Sequence, residues 1–222
     1  QSPELWWTAT CEAVSGVIAA AGIDAAQVVT VGLTGQMHGL VLLDENGQVL
    51  RPAILWNDQR TVKECAELEK AAGSRRKLID MTGNPALTGF TAPKILWVRE
   101  NEPEVFAKGA HVLLPKDYLR LWLTGEAVAE MSDAAGTSWL DTGRRDWSDD
   151  LLSIGMGAGE NFSKVALQVE NLVGVKGQFP GFELTFGANE IVFDFVPGFS
   201  VQLGIETIRR TAHLPMADPT RS

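Results

Sequence analysis

Apolar and polar positions along the first two-thirds of the chain switch between a helical rhythm and a strand rhythm. In the opening segment SPELWWTATCEAVSGVIAAAGI the apolar positions Leu5, Trp6, Ala9, Ala13, Val17 and Ala20 recur at helical spacing, and Ser2, Pro3 and Glu4 supply helix-start chemistry. This predicts an amphipathic helix. VVTVGLTG then reads as a strand buried on both faces, LVLLDENGQVL as two short strands joined by an Asn-Gly turn, and AILWND as another strand. Further helices are predicted at TVKECAELEKAA, at APKILWVRENEPEVF with Pro93 in the first turn, and at KDYLRLWLTG, stopped by Gly125. A strand, HVLLP, lies between the last two. Such alternation predicts an α/β domain.

The last third has a different texture. All seven tryptophans lie at or before Trp147, whereas seven of the nine phenylalanines lie at or after Phe162, so the composition changes near Leu152. From Phe182 the pattern has period two through Leu184 and Phe186, Ile191, Phe193 and Phe195, then Val201, Leu203 and Ile205, with GAN and VPGF as turns. A three-stranded antiparallel meander is expected there. The glycines of IGMGAGEN have no nucleotide-binding motif around them and read as a flexible joint, and LPMADPTRS, with two prolines and no periodicity, reads as a frayed terminus. The expected division is residues 1–152 as one domain and 153–222 as an unassigned β-rich tail, foreign or frame-shifted in origin.

Composition narrows the function classes. The 222 residues are 45% hydrophobic and 21% charged, an ordinary globular balance, with a net charge of −9 and a pI near 4.9. The basic residues form no stripe, which argues against nucleic acid or an anionic membrane as partner. The densest basic spot, Arg75 to Lys77, reads as a solvated loop or helix face. Two cysteines without metal-ligand spacing fit a reducing cytoplasm, no apolar run is long enough to span a bilayer, and QSPELWW lacks a signal-peptide layout. A cytoplasmic location is therefore expected.

Three segments place polar groups at strand ends, where open α/β sheets gather their ligands. In TGQMHG the glycines allow close backbone approach, Gln36 offers an amide, and His38 is one of only three histidines. Spacing alone leaves His38 open between a ligand group and a side chain satisfied by nearby backbone, with a slight preference for the second. In LWNDQR, Trp56, Asn57, Asp58 and Arg60 combine an aromatic face with paired donors and acceptors, a set suited to a polyhydroxy ligand. An equal reading makes Asp58 the cap of the following helix. In EMSDAAGTSWLD, Asp133 reads more readily as a cap than as a ligand.

Taken in order, PELWW, GQMHG, LLD, VLRPAILWNDQR, GFTAPKILWV, VLLPKDYLRLWLTGE, MSDAAGT with WLD, and RDWSDDLL resemble the FGGY carbohydrate kinases, and within them the xylulokinases. Gly89 to Asn101 fits that family's N-terminal signature, with Thr91, Lys94, Ile95, Trp97, Val98, Glu100 and Asn101 at its restricted positions. The resemblance covers residues 1–152. It implies the actin-like, ribonuclease-H-like ATPase fold, a mixed sheet with flanking helices, and transfer of the ATP γ-phosphoryl group to O5 of D-xylulose with Mg²⁺. It also implies a sugar pocket lined by Gln36, Met37, His38 and Gly39, with Trp56, Asn57 and Asp58 as supporting residues. Gluconate, ribulose and glycerol are the alternative acceptors, and a sugar-binding or interaction module without transfer chemistry is the non-enzymatic alternative. A homo-oligomer is compatible with the resemblance.

Two family parts have no counterpart in this sequence: the first hairpin with its phosphate- and metal-handling Asp-x-Gly-Thr turn, and the Gly-Gly-Asp-Asn segment that carries the catalytic aspartate. No catalytic or metal-ligating residue is therefore assigned, ATP and Mg²⁺ binding by this chain is doubtful, and the chain by itself is expected to be inactive. Loss of the hairpin is also expected to bare strand edges; the tail's strands either add to that edge or fold apart as a unit unrelated to the kinase, the second being preferred.

Overall fold

Helix α1 (Pro3–Ala21) opens the chain in the computed structural model, which describes residues 1–156 and, beyond them, the strand residues 166–168, 172–173, 178–179, 182–183, 190–196 and 199–205. The buried face of α1 runs through Trp6, Thr10 and Ile18 with Val14 and Val17 beside them, while Leu5 is 67% exposed and Ala20 is exposed. The expected stripe is thus rotated. Leu5 and Trp6 are about 100° apart on a helix, and the larger indole takes the inward position, packing with Val41, Leu43, Leu113 and Tyr118.

Strand β1 (Val28–Gly35) buries Val31 and Leu33, then leaves Thr34 exposed at its end. Strand β2 (Val41–Leu43) is buried throughout, and its side chains alternate between two cores. Leu42 joins Leu40, Ile54, Leu68, Leu78 and Ile95, whereas Val41 and Leu43 join Trp6 and Leu113. That alternation is the period-two geometry of a strand covered on both faces. The turn after it is built by Asp44, whose Oδ1 accepts from the backbone N–H groups of Asn46 and Gln48, each at 2.8 Å.

Two expected strands are reduced to single bridges, Leu43 with Val49 and Leu40 with Ile54. Pro52 lies between those two bridges and has no N–H to give a ladder, so no continuous strand forms there.

Helix α2 (Val62–Ala71) matches the pattern, but α3 (Arg75–Thr82) was not legible as a helix. It buries only Leu78 and Thr82 and is started by Ser74, whose Oγ accepts from the Lys77 N–H at 3.1 Å. The long helix expected up to Phe106 is two helices, α4 (Thr91–Asn101) and α5 (Pro103–Phe106), because a residue before proline is pushed out of helical geometry; Glu102 sits at φ −132°, ψ 56°.

Strand β3 (His111–Leu113) pairs antiparallel with β2, Val41 opposite Leu113, and leads into α6 (Pro115–Thr124). Strand β4 (Val128–Glu130) runs into the short helix α7 (Met131–Ala134); β5 (Leu140–Asp141), β6 (Asp146–Trp147) and α8 (Asp149–Met156) follow.

Beyond residue 165 the described pieces are β7 (Ala166–Gln168), β8 (Leu172–Val173), β9 (Gln178–Phe179), β10 (Phe182–Glu183), β11 (Glu190–Val196) and β12 (Phe199–Ile205). Strands β11 and β12 form a hairpin, and β12 pairs antiparallel with β1 in the order β11-β12-β1-β8. The first strand of the expected meander departs from the pattern: β10 pairs with β9 instead of β11. Residues 184–189, most of the expected joint and the terminal LPMADPTRS lie outside the described residues.

Candidate functional site

The chain leaves β1 at Gly35 and reverses over Met37, His38 and Gly39 before entering β2. The reversal is a γ-turn: the Gly39 N–H donates to the Met37 carbonyl at 2.8 Å across His38, which sits at φ 67°. This three-residue turn with a positive central φ is uncommon and strained for a residue with a side chain. Four contacts hold it. The imidazole stacks on Phe90 with ring centroids 4.4 Å apart and planes 21° apart, and Nδ1 lies 2.8 Å from the Gly136 carbonyl oxygen. The His38 carbonyl accepts from Thr91 Oγ at 3.1 Å and from Lys94 Nζ at 3.0 Å.

Two glycines make this approach possible. A side chain on Gly136 would overlap the His38 ring, and a Cβ on Gly39 would come within 2.9 Å of Pro115 Cδ at the start of α6.

The Gly136 contact fixes the chemistry of the ring. A carbonyl oxygen only accepts, so Nδ1 carries the hydrogen. Burial lowers the His38 pKa; the Gly136 hydrogen bond works against that lowering and the Lys94 charge adds to it. A neutral ring protonated at Nδ1 presents Nε2 as an acceptor, the group needed to receive a ligand hydroxyl.

The Leu40–Ile54 bridge sets the second segment beside the first, with residues 36–39 and 55–58 leaving it on the same side. Trp56 is 53% exposed and Asn57 is also exposed, and a Cβ on Gly89 would lie 2.7 Å from the Trp56 carbonyl oxygen. Trp56 and His38 thus flank the Gly89–Phe90 loop.

Asp58 is not the cap of α2, whose N-cap position is Thr61. Its carboxylate takes the Arg60 guanidinium at 2.9 and 2.8 Å and the Arg60 N–H at 3.0 Å, and these bonds, the side-chain pair foremost, lower its pKa. Arg60 in turn lies over the Trp97 ring at 4.7 Å. A carboxylate held this way is a weak base.

Of the residues predicted from sequence, His38, Gly39 and Trp56 come together around this loop, and Met37 is 48% exposed beside them. Gln36 differs: it is buried, and its Oε1 has no hydrogen-bond partner among the described residues. Phe90, Thr91, Lys94 and Gly136 complete the frame without having been singled out for it. Gly136 stands 98 positions from His38, and no local pattern carries such a pairing.

A second polar cluster lies inside the domain. Lys116 contacts Asp117 and lies 3.3 Å from Asp133, and all three are almost wholly buried. Asp133 does not cap α7; Glu130 does, accepting from the N–H groups of Ser132 and Asp133. Burial, with Asp117 adding to it and Lys116 opposing, raises the Asp133 pKa to about 7. The Lys116 ammonium already fills the place a cation would take, and among the described residues no three His, Cys, Asp or Glu side chains converge as a metal site. These residues do not fit a Mg²⁺ site.

Residues 1–175 match the model of the FGGY family of carbohydrate kinases, N-terminal domain. The chain belongs to the FGGY family of carbohydrate kinases. It is 53% identical over 153 residues to the xylulose kinase of Klebsiella pneumoniae, an alignment covering 69% of this chain and 31% of that relative. Among solved structures it is similar to a xyloylose kinase from Brucella ovis, with TM-score 0.69 and 48% identity over 76% of this chain and 34% of the other. A gluconate kinase from Lactobacillus acidophilus follows with TM-score 0.65 and 27% identity over 75% and 33%. The chain thus spans about a third of the length of the relatives it matches. FGGY membership accounts for the mixed α/β architecture and agrees with the actin-like ATPase fold.

Proposed function

We propose that residues 1–152 form the sugar-binding part of a kinase that phosphorylates D-xylulose at O5, with the γ-turn of Met37, His38 and Gly39 as the rim that receives the sugar. One observation carries the reading: the Nδ1–Gly136 contact leaves His38 Nε2 as an acceptor, and the exposed Trp56 abuts the same Gly89–Phe90 loop on which the His38 ring stacks. A ketose offers hydroxyls to the first and C–H faces to the second. Met37 and Asn57 complete the rim, Asp58 holds Arg60 behind it, and Gln36 is assigned a supporting place beneath it. The similarity to xylulose kinases favours the ketose, and the similarity to a gluconate kinase makes gluconate the leading alternative acceptor. Free Cys11 and Cys65 fit a cytoplasmic enzyme.

Transfer itself requires ATP as donor and Mg²⁺ to neutralise charge, an in-line hydroxyl, and a carboxylate to take its proton. Asp58 is spent on Arg60, and the Lys116 cluster is closed, so within this chain the reading assigns binding and orientation of the sugar but no transfer step.

Calorimetric titration with D-xylulose, gluconate, ribulose and glycerol tests the assignment. Saturable heat with D-xylulose, weaker for the others, is expected; preference for gluconate would move the acceptor, and no binding of any would refute the sugar site. A coupled ADP-release assay on the same chain should show no sugar-dependent turnover, and turnover well above that of a Met37→Ala/His38→Ala variant would refute inactivity.

A further inference from the structure

The His38 γ-turn needs something to hold it against its strain, and the residue that does most of this is one to which no role has been given. Lys94 is fully buried in the first turn of α4, yet among the described residues no carboxylate pairs with it. Its ammonium instead reaches three backbone carbonyls: His38 at 3.0 Å, Phe90 at 3.3 Å, and Gly89. Three donors meet three acceptors. One acceptor belongs to the strained turn, and the other two belong to the loop that carries the stacking ring of Phe90 and abuts Trp56.

The geometry points to Lys94 as a positioning residue: its ammonium clamps the His38 turn to the Gly89–Phe90 loop and so sets where the imidazole and indole stand relative to a bound sugar. This rests on the reading of that rim as the sugar site. Thr91 adds a second, neutral donor to the same His38 carbonyl, so the clamp has a strong arm and a weak one. A lysine serving only to fill space would not need its ammonium aimed at carbonyls of two separate segments.

The test is nuclear magnetic resonance on the ¹⁵N-labelled chain at pH 6.5, where Lys94 keeps its proton, with D-xylulose as the probe. In the unaltered chain the Lys94 ammonium should exchange with water far more slowly than that of the exposed Lys77. It should also show cross-relaxation to His38. In Lys94→Met the His38 ring resonances should lose the ring-current shift from Phe90, and D-xylulose affinity should fall tenfold or more. Thr91→Val should produce the same changes at smaller size, and it decides the question if Lys94→Met does not fold.

Unchanged His38 resonances in both variants, or a Lys94 ammonium exchanging like a surface lysine, would overturn the clamp. A chain that binds no D-xylulose, yet whose His38 resonances still move with Lys94, would uphold the clamp and refute the sugar reading instead.

Discussion

His38 shows how one side chain's surroundings decide what it can do. Held at Nδ1 by Gly136 and pushed toward neutrality by burial, it is an acceptor at Nε2 at neutral pH, and protonation would turn that atom into a donor. Sugar affinity should therefore fall below the ordinary histidine value of 6.5 as the ring charges; titrations across pH 5 to 7, where Lys94 keeps its proton, would reveal this, and a flat profile would count against it. Gly136→Ala would drive a methyl group into the ring. It should cost about 1–3 kcal/mol of stability, as overpacking does, and should weaken binding together with it, as denaturant unfolding and calorimetry would show. The sequence made His38 visible through its glycines but could not reveal the contact that fixes its tautomer, because Gly136 is distant in the chain.

At the scale of elements, helix α4 brings Lys94 under the rim, and this should leave a mark on stability. Burial lowers the Lys94 pKa from 10.5 to about 7, against Asp58 and Cys65, which favour its charge. Between those values the unfolded chain holds more protons than the folded one, so stability should rise as pH goes from about 7 to 10.5. Urea unfolding at several pH values should show that slope, and Lys94→Met should remove it.

The helices legible in the pattern were those with a wide apolar face or a clear stop, such as α6 before Gly125. Helix α3 was hidden because only Leu78 and Thr82 of its residues are buried. The strands at 49 and 54 were over-read because apolar runs do not report the ladder hydrogen bond that Pro52 cannot make.

For the whole molecule, the Lys116 cluster ties α6 to α7 through charges removed from water. Burial works against the Lys116 charge, yet Asp117 and Asp133 hold its pKa above the ordinary value. Lys116→Met would remove the ammonium that Asp117 and Asp133 share, leaving Asp117 only the charge of Arg120, and should destabilise by about 3–5 kcal/mol. Asp133, raised to about 7, holds its proton in the folded chain where the unfolded chain has lost it, so its contribution to stability should decline from pH 3.8 to about 7 and vanish in Asp133→Asn. The α/β class and the order of α1, α2, α4 and α6 were legible in the first 152 residues, while this cluster was not, since Lys116 and Asp133 read locally as ordinary helix-start residues. The rim is tested most directly by the ¹⁵N resonance of His38 Nε2 during a titration with D-xylulose at pH 6.5, where Lys94 keeps its proton and the lowered pKa of His38 leaves the ring neutral. A saturable shift confined to Nε2, with Nδ1 keeping its bond to Gly136, is predicted; an Nε2 resonance that stays fixed while D-xylulose binds would contradict it.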